Sequence, residues 1–587
     1  MVRSQKENNE LRNALGKCFS IFLPVAIFSF FINMFMFIVP IYMLQIYGRV
    51  LTSRSEDTLV VLTVMACVAL VAYASLEFIR SRLLVRAGFR FDELLSERIF
   101  KAVFRYAVKV PGAATSQALR DINTVREFLT GQGLIAFFDA PWVPVFVAVG
   151  FLFHPWLGYI SLAGALVIFA LAALNEVVTR KHLQSGFQSQ IAASDYAEFG
   201  VRNADAVYAM GMEDALHGGW SGLKKEALLS QAKASDRSST IMTLSRFVRT
   251  GLQIAVLGVG AYLVLEQQIA PGVMVAASIV MARALAPVEM AVGQWKTFIG
   301  ARSAYARLKA LLEAIPEDED KIYYPDPKGA LTLQNVAVAV PGHRKLVVQG
   351  ATFSLSPGEL LAVIGPSGSG KSTLARAICG IWPAVGGAIL LDSVPLAHWR
   401  TDQLGAKLGY LPQDVELFDG TIADNIARFT PDAADEDVLN AAKMAGVYEL
   451  INGLPQGFKT RIGRGGEGLS AGQRQRIGLA RALFRVPAVV VLDEPNSNLD
   501  SDGEAALRDG LERAKKAGST IIAITHRTSL LSVADKVLLM RGGTIEAFGP
   551  RDEVLTRLRQ QNVVQLAAGA KAQQSAASET TQAGAEK

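Results

Sequence analysis

The sequence predicts a two-domain membrane protein, a bundle of six transmembrane helices followed by an α/β domain. Three observations predict it. Charged residues make up 19% of the 587, below the roughly 25% of ordinary soluble chains, while hydrophobic residues reach 51% and mean hydropathy is +0.28. Apolar runs close to the roughly 20 residues of a membrane span recur through the first half. In the second half, Gly365–Ser372 reads Gly-Pro-Ser-Gly-Ser-Gly-Lys-Ser between a short apolar run and a helical segment.

The chain divides into a polar tail over 1–18, a transmembrane domain over 19–312, a linker over 313–329, an α/β domain over 330–560 and a C-terminal tail over 561–587. The run after the first tail is too long for a signal peptide and lacks a clean cleavage site, so it reads as a retained span. The spans are Phe19–Tyr47, Leu59–Ile79, Leu134–Phe153, Trp156–Leu174, Gly251–Leu265 and Val273–Val288. The last two are short or interrupted, by Glu266 and by Arg283.

Tight turns at His154-Pro155 and Gln267–Gly272 alternate with long polar segments, Arg80–Gly133 and Asn175–Thr250. The long segments carry Arg80, Arg82, Arg86, Arg90, Lys101, Arg105, Lys109, Arg180, Lys181, Lys224 and Lys225. Excess Lys and Arg marks the cytoplasmic side, which puts both termini inside. Phe89, Leu94, Ile99 and Val103 among charges suggest helices that continue into the cytoplasm. Their returns are expected near Ala113–Asp121 and Tyr208–Leu216. The net charge of +6 follows these flanks, so no nucleic-acid partner is expected. Cys18, Cys67 and Cys379 form no metal or disulfide pattern.

Asp139 lies in Phe-Phe-Asp-Ala-Pro-Trp-Val-Pro, where Pro141 and Pro144 kink the helix. A charge inside an apolar span faces a cavity or a partner. One reading gives Asp139 a place in a transport path or its gate. The other makes it the cap of a broken helix, with Trp142 anchored at the interface. Glu77 and Glu176 read as solvated residues at span ends.

The acidic, proline-bearing stretch Glu313–Gly329 reads as the linker, and alternating strands and helices begin at Ala330. The C-terminal end is rich in Ala, Gln, Ser, Thr and Gly and reads as disordered. Gly365–Ser372 fits the loop that wraps nucleotide phosphates in backbone N–H groups at a helix N-terminus. Gly365, Gly368 and Gly370 let the backbone close, with Pro366, Ser367, Ser369 and Thr373 around them. Lys371 would reach the β- and γ-phosphates, and Ser372 would meet Mg²⁺. The buried strand Ala488–Leu492 ends at Asp493, which suits Mg²⁺, and at Glu494, which suits water activation. A further strand, Ser519–Thr525, ends at His526, placed for the γ-phosphate. Ser470 caps a second helix whose dipole could face phosphate, which suggests service to a second copy of the chain.

Together these pieces resemble an ATP-binding cassette transporter of the exporter type over Phe19 to about Leu558. Gly365–Ser372 is similar to Walker A, Gln413 in Tyr-Leu-Pro-Gln-Asp to the Q-loop, and Leu469–Gln473 to the signature. Val489–Asp493 is similar to Walker B, Glu494 to the catalytic glutamate, Asn496–Asp500 to the D-loop, and His526 to the switch histidine. The resemblance implies a six-helix ABC exporter bundle with an ABC ATPase domain, ATP and Mg²⁺ as cofactors, and Glu494 and His526 as catalytic residues. It implies Gln413 as a further metal and nucleotide contact, and Ser470, Gly472 and Gln473 as contacts to ATP on a partner copy, hence a homodimer. Thr460–Leu469 resembles the segment that couples to the membrane half. Arg120–Asp139, Phe153–Gly158 and Ala209–Met212 are similar to the inner-membrane ATPase–permease of bacterial type I secretion systems that exports proteases and other repeat-in-toxin proteins.

That subgroup implies a periplasmic adaptor, an outer-membrane channel and a secreted protein with an uncleaved C-terminal signal, since only a short tail precedes the first span. An exporter of lipid, drug or peptide is the alternative, and an ATP-gated channel or regulator a further one. Ala471 departs from the usual signature glycine, and Val340 stands where an adenine-stacking tyrosine is usual. His343 or Arg344 could hold the base instead.

Overall fold

A computed structural model describes residues 10–110, 116–316, 321–343, 345–463, 466–527, 529–558 and 560. Arg344, the C-terminal tail, most of the linker's acidic run and part of the first return lie outside the described residues. The chain divides into two units, the first ending at Pro316.

Six helical stretches in the first unit are long and apolar enough to cross a membrane: Glu10–Ser53, Glu56–Lys109, Gln132–Phe153, Pro155–Arg202, Glu213–Leu265 and Pro271–Gly293. Four of them are far longer than a bilayer requires. The 54 residues of Glu56–Lys109 span about 81 Å at 1.5 Å per residue, against a hydrocarbon core of about 30 Å. On its apolar half Val60, Val64, Val68 and Val71 are exposed, as suits contact with lipid. On its distal half Leu84, Ala87, Phe91, Leu95, Ile99 and Ala102 form a buried stripe at steps of three and four. Leu11, Cys18, Val125 and Leu308 pack against it.

This stripe corrects the expected one. Phe89 is exposed, because the five-residue steps from 89 to 94 to 99 turn each side chain roughly 140° off the last. Helix Ser116–Thr130 is fastened to helix Trp295–Ala314 by Arg307, which donates from Nε and Nη2 to the buried Asp121 carboxylate at 2.8 and 2.7 Å. The second return falls at residues 203–212, around the short helix Ala204–Ala209.

Asp139 does not cap the broken helix. It ends helix Gln132–Asp139 before a 3₁₀ turn over Ala140–Trp142, and its side chain makes no cap. Its carboxylate accepts instead from Asn33 Nδ2 at 2.8 Å and from Arg80 Nη1 at 3.2 Å. The same Arg80 nitrogen donates to Ser29 Oγ at 3.0 Å. Arg80 therefore belongs to a buried clasp of three helices, not to a solvated cytoplasmic flank. Trp142 is half-buried against the rings of Phe30 and Phe146.

In the second unit the strands run, in chain order, β1 Leu331–Ala339, β2 Leu346–Leu355, β3 Leu360–Ile364, β4 Gly386–Leu391, β5 Val394–Pro395, β6 Leu408–Leu411, β7 Gly420–Thr421, β8 Arg461–Ile462, β9 Val489–Asp493, β10 Thr520–Ile524, β11 Lys536–Arg541 and β12 Thr544–Pro550. One sheet has the order β2-β1-β4-β5 and is antiparallel. A second has the order β12-β11-β3-β10-β9-β6, and its inner neighbours are parallel, while β7 and β8 form a small antiparallel pair. β3, β9 and β10 are almost wholly buried on both faces, which is why they read as continuous apolar runs.

The linker is shorter than its composition suggests. Helix Trp295–Ala314 covers its first residues. Beyond the acidic run, Tyr324 already docks on the α/β unit: its N–H donates to Gln403 Oε1 at 3.2 Å, and its ring lies 5.2 Å from that of Trp399. Acidic and proline residues mark where the helix stops, but an aromatic among them can still find a core.

Candidate functional site

In the parallel sheet, β3, β10, β9 and β6 are adjacent and end together, with Val363 paired to Ile524 and Ile524 to Asp493. Ligands of open parallel sheets bind beyond the carboxyl ends of strands. The loop after β3, His526 after β10, Asp493 at the end of β9 with Glu494 after it, and Gln413 after β6 all emerge there.

The loop after β3 admits only glycine at its two ends. Gly365 has φ +149°, and a Cβ there would lie 2.2 Å from Met540 O. Gly370 has φ +96°, and its Cβ would lie 3.0 Å from Val347 O. Pro366, Ser367 and Gly368 form the exposed crest, and Thr373 is half-buried in helix Lys371–Ile378. Lys371 Nζ curls back to donate to Gly365 O and Pro366 O, both at 2.9 Å. Burial pulls its pKa down from the usual lysine value, while Glu494 and Asp493 pull it up. Ser369 Oγ is buried without a hydrogen-bond partner. Among the described residues the lysine donates only to its own loop and the hydroxyl beside it has no partner, an arrangement that fits an anion cradle.

Ser372 Oγ donates to Asp493 Oδ1 at 3.2 Å. Asp493 is buried, which raises its carboxyl pKa; the Ser372 hydrogen bond opposes that shift, and Glu494 adds to it. A hydroxyl facing a buried carboxylate is a donor set of hard oxygens that suits Mg²⁺. Glu494 spans two other strands. Its Oε2 accepts from Gln413 Nε2 at 3.3 Å, and its Oε1 lies 3.3 Å from His526 Nε2. One carboxylate thus gathers the residues after β6 and β10.

The signature residues stand apart. Ser470 Oγ accepts from Gln473 N at 3.2 Å, and Gln473 Oε1 accepts from Ser470 N at 2.9 Å, a reciprocal cap on helix Ala471–Leu483. No hydrogen bond or ion pair joins Ser470, Gly472 or Gln473 to the Gly365–Thr373 loop, Asp493 or His526 among the described residues. Ala471 is exposed, so its extra methyl displaces nothing within the chain. Val340 is half-buried against the core, and its carbonyl accepts from His343 N at 2.9 Å.

The ABC transporter transmembrane region family matches residues 22–287, and the ABC transporter family matches residues 348–497. The type I secretion system ATP-binding protein PrsD of Rhizobium meliloti is 43% identical over 96% of this chain and 97% of its own length. This chain belongs to the ABC transporters. Other relatives of this ABC transporter are the cyclolysin secretion/processing ATP-binding protein CyaB of Bordetella pertussis, 30% identical over 90% of the chain and 75% of CyaB. The alpha-hemolysin translocation ATP-binding protein HlyB of Escherichia coli is 27% identical over 92% of the chain and 77% of HlyB. A solved bacterial Atm1-family ABC exporter with ATP bound shares the fold, at TM-score 0.79 and 22% identity over 93% of this chain and 96% of that one. The family makes the chain a multi-pass membrane protein that binds ATP.

Sequence reasoning missed two sets of residues. Ser29, Asn33 and Arg80 surround Asp139, and Gln475 joins helix Ala471–Leu483 to the segment after Asp493.

Proposed function

We propose that the chain is the ATP-hydrolysing inner-membrane exporter of a type I secretion system. Two copies pair, and each ATP lies between the Gly365–Thr373 loop of one copy and Ser470, Gly472 and Gln473 of the other. The complex, joined by a periplasmic adaptor and an outer-membrane channel, moves an unfolded protein with an uncleaved C-terminal signal out of the cytoplasm. The observation that carries the reading is Glu494 held between Gln413 and His526 beside Asp493, in a chain similar along its whole length to a type I secretion ATP-binding protein. That similarity favours a protein substrate over lipid, drug or peptide.

Backbone N–H groups of the loop and Lys371 bind phosphate, with the lysine donors leaving Gly365 O and Pro366 O to do so. Ser372, Asp493 and Gln413 would hold Mg²⁺, which when bound neutralises phosphate charge. Glu494 orients the attacking water and takes its proton at a carboxylate oxygen. His526 steadies Glu494 and contacts the γ-phosphate. Paired signature helices close only when nucleotide fills the gap, and hydrolysis releases them.

Deleting the gene tests the whole reading. One protein should vanish from the culture medium and remain in the cytoplasm, and the chain carrying Glu494→Gln should not restore it. The secreted form should keep its C-terminal residues by intact mass. Secretion that survives deletion, or a cargo that loses an N-terminal leader to this transporter, overturns the proposal.

A further inference from the structure

The geometry points to Gln475 as a positioning residue for hydrolysis, acting through the backbone of Glu494. The inference rests on the proposed role of Glu494. Glu494 has φ +51°, a left-handed conformation that a side chain other than glycine rarely adopts. Such a residue keeps its conformation only where its surroundings over-determine it. Here its N–H donates to Ile524 O at 3.0 Å, and its carbonyl accepts from Ser497 N at 3.2 Å. A third bond comes from the helix capped by Ser470: Gln475 Nε2 donates to Glu494 O at 3.0 Å.

Gln475 spends its whole amide on this stretch. Nε2 also donates to Ser497 Oγ at 3.4 Å, and Oε1 accepts from Asn498 N at 3.1 Å. The side chain is 2% exposed, so water cannot substitute. The amide orientation is fixed by its partners, because exchanging O and N would set oxygen against Glu494 O and NH₂ against Asn498 N–H. Two neighbours fasten the same surfaces. Arg476 Nη2 meets Asp500 Oδ1 at 2.7 Å. A Cβ on Gly472 would lie 2.8 Å from Asn498 O, so helix and segment touch backbone to backbone. The helix capped by Ser470 and the strained turn at Glu494 therefore form one block. Among the described residues of that helix, Gln475 is the one that bonds the residue that carries the base.

The test uses the full-length purified transporter. Gln475→Glu keeps the length and the acceptor for Asn498 N but removes the donor to Glu494 O. Gln475→Met keeps length with no hydrogen bonds and no charge. In both, kcat for ATP should fall by roughly tenfold, the scale of one buried hydrogen bond lost from a group that must stay aligned. KM and the ATP dissociation constant should stay within about twofold, because the phosphate loop is untouched. In a Glu494→Gln background neither substitution should lower the residual turnover further, since the residue it acts through is already disabled.

Unchanged kcat in both variants overturns the inference. So do an equal loss in both backgrounds, a loss carried by KM, or loss of ATP binding in both, which is what a merely structural glutamine would produce. If Glu494→Gln alone keeps wild-type turnover, the reading of Glu494 fails. If it abolishes turnover while the Gln475 variants remain normal, only the inference about Gln475 fails.

Discussion

Replacing Asp139 with asparagine removes one charge from the clasp and almost no volume. The side chains of Arg80 and Asp139 are only 5% and 8% exposed, so the remaining guanidinium cannot reach water. Arg80 Nε is already without a partner, and its Nη1 would keep only Ser29 Oγ and a weaker amide oxygen. Breaking a buried ion pair by removing one member costs about 3–5 kcal/mol. Asparagine can still accept from Asn33, which places Asp139→Asn toward the lower end, about 3 kcal/mol. The double variant Arg80→Met, Asp139→Leu leaves no buried charge, so it should regain most of that loss. Cys18 provides the assay, because it is fully buried in the core beside Ala87. In a chain whose Cys67 and Cys379 are serine, a thiol-reactive dye reports heating of the membrane unit through Cys18. Asp139→Asn should label at a clearly lower temperature than its parent, and the double variant should recover. Equal labelling temperatures for parent and Asp139→Asn would refute the clasp. A double variant weaker than the single one would refute the argument from uncompensated charge.

Four further outcomes follow from the α/β unit. Glu494→Gln should keep ATP binding and lose hydrolysis by about 10²–10⁴-fold, read as turnover of purified protein, with an ATP-bound dimer accumulating. Mixed dimers of Lys371→Ala and Ser470→Arg chains should hydrolyse ATP faster than either homodimer, because one site of the mixed pair is intact; no gain would count against shared sites. Val340→Tyr should tighten ATP binding several-fold or more, since base–aromatic stacking is worth roughly 1–3 kcal/mol; an unchanged dissociation constant with strong wild-type preference for ATP over GTP would show another group already holding the adenine. Burial raises the pKa of Asp493 above the usual aspartate value, so protons compete with Mg²⁺ as pH falls, and the Mg²⁺ concentration for half-maximal ATPase should rise as the pH is lowered into the acid range.

The membrane unit was legible where one physical quantity decides. Length and apolarity mark a span, and the six runs fall within the six helices. Phase was harder: Phe89 looks like a core residue until the steps of 84, 87, 91 and 95 show the opposite face buried. Arg80 was harder still. An arginine at the end of a span looks the same whether it snorkels to water or pairs inward. What decides between them is a carboxylate 59 residues away, brought close by packing that no local pattern encodes.

The nucleotide site was legible for a different reason. Asp493, Glu494 and His526 each follow a short strand that is apolar on both faces, and parallel strands end on one side of a sheet. A reader who finds the strands has found the side, without knowing their order. Gln475 carries no such flag, since a glutamine in the first turns of a helix is usually solvated. Yet a signal was present. Ser470 caps the helix and so sets its phase. From that start Gln475 falls in line with Leu479 and Leu483, four and eight residues on, both buried. A polar amide on the apolar stripe of a capped helix must find partners inside or leave donors unpaired. Here its partners are the carbonyl of Glu494 and the N–H of Asn498. The residue least visible in the sequence is therefore tied to the one whose chemistry was plainest there.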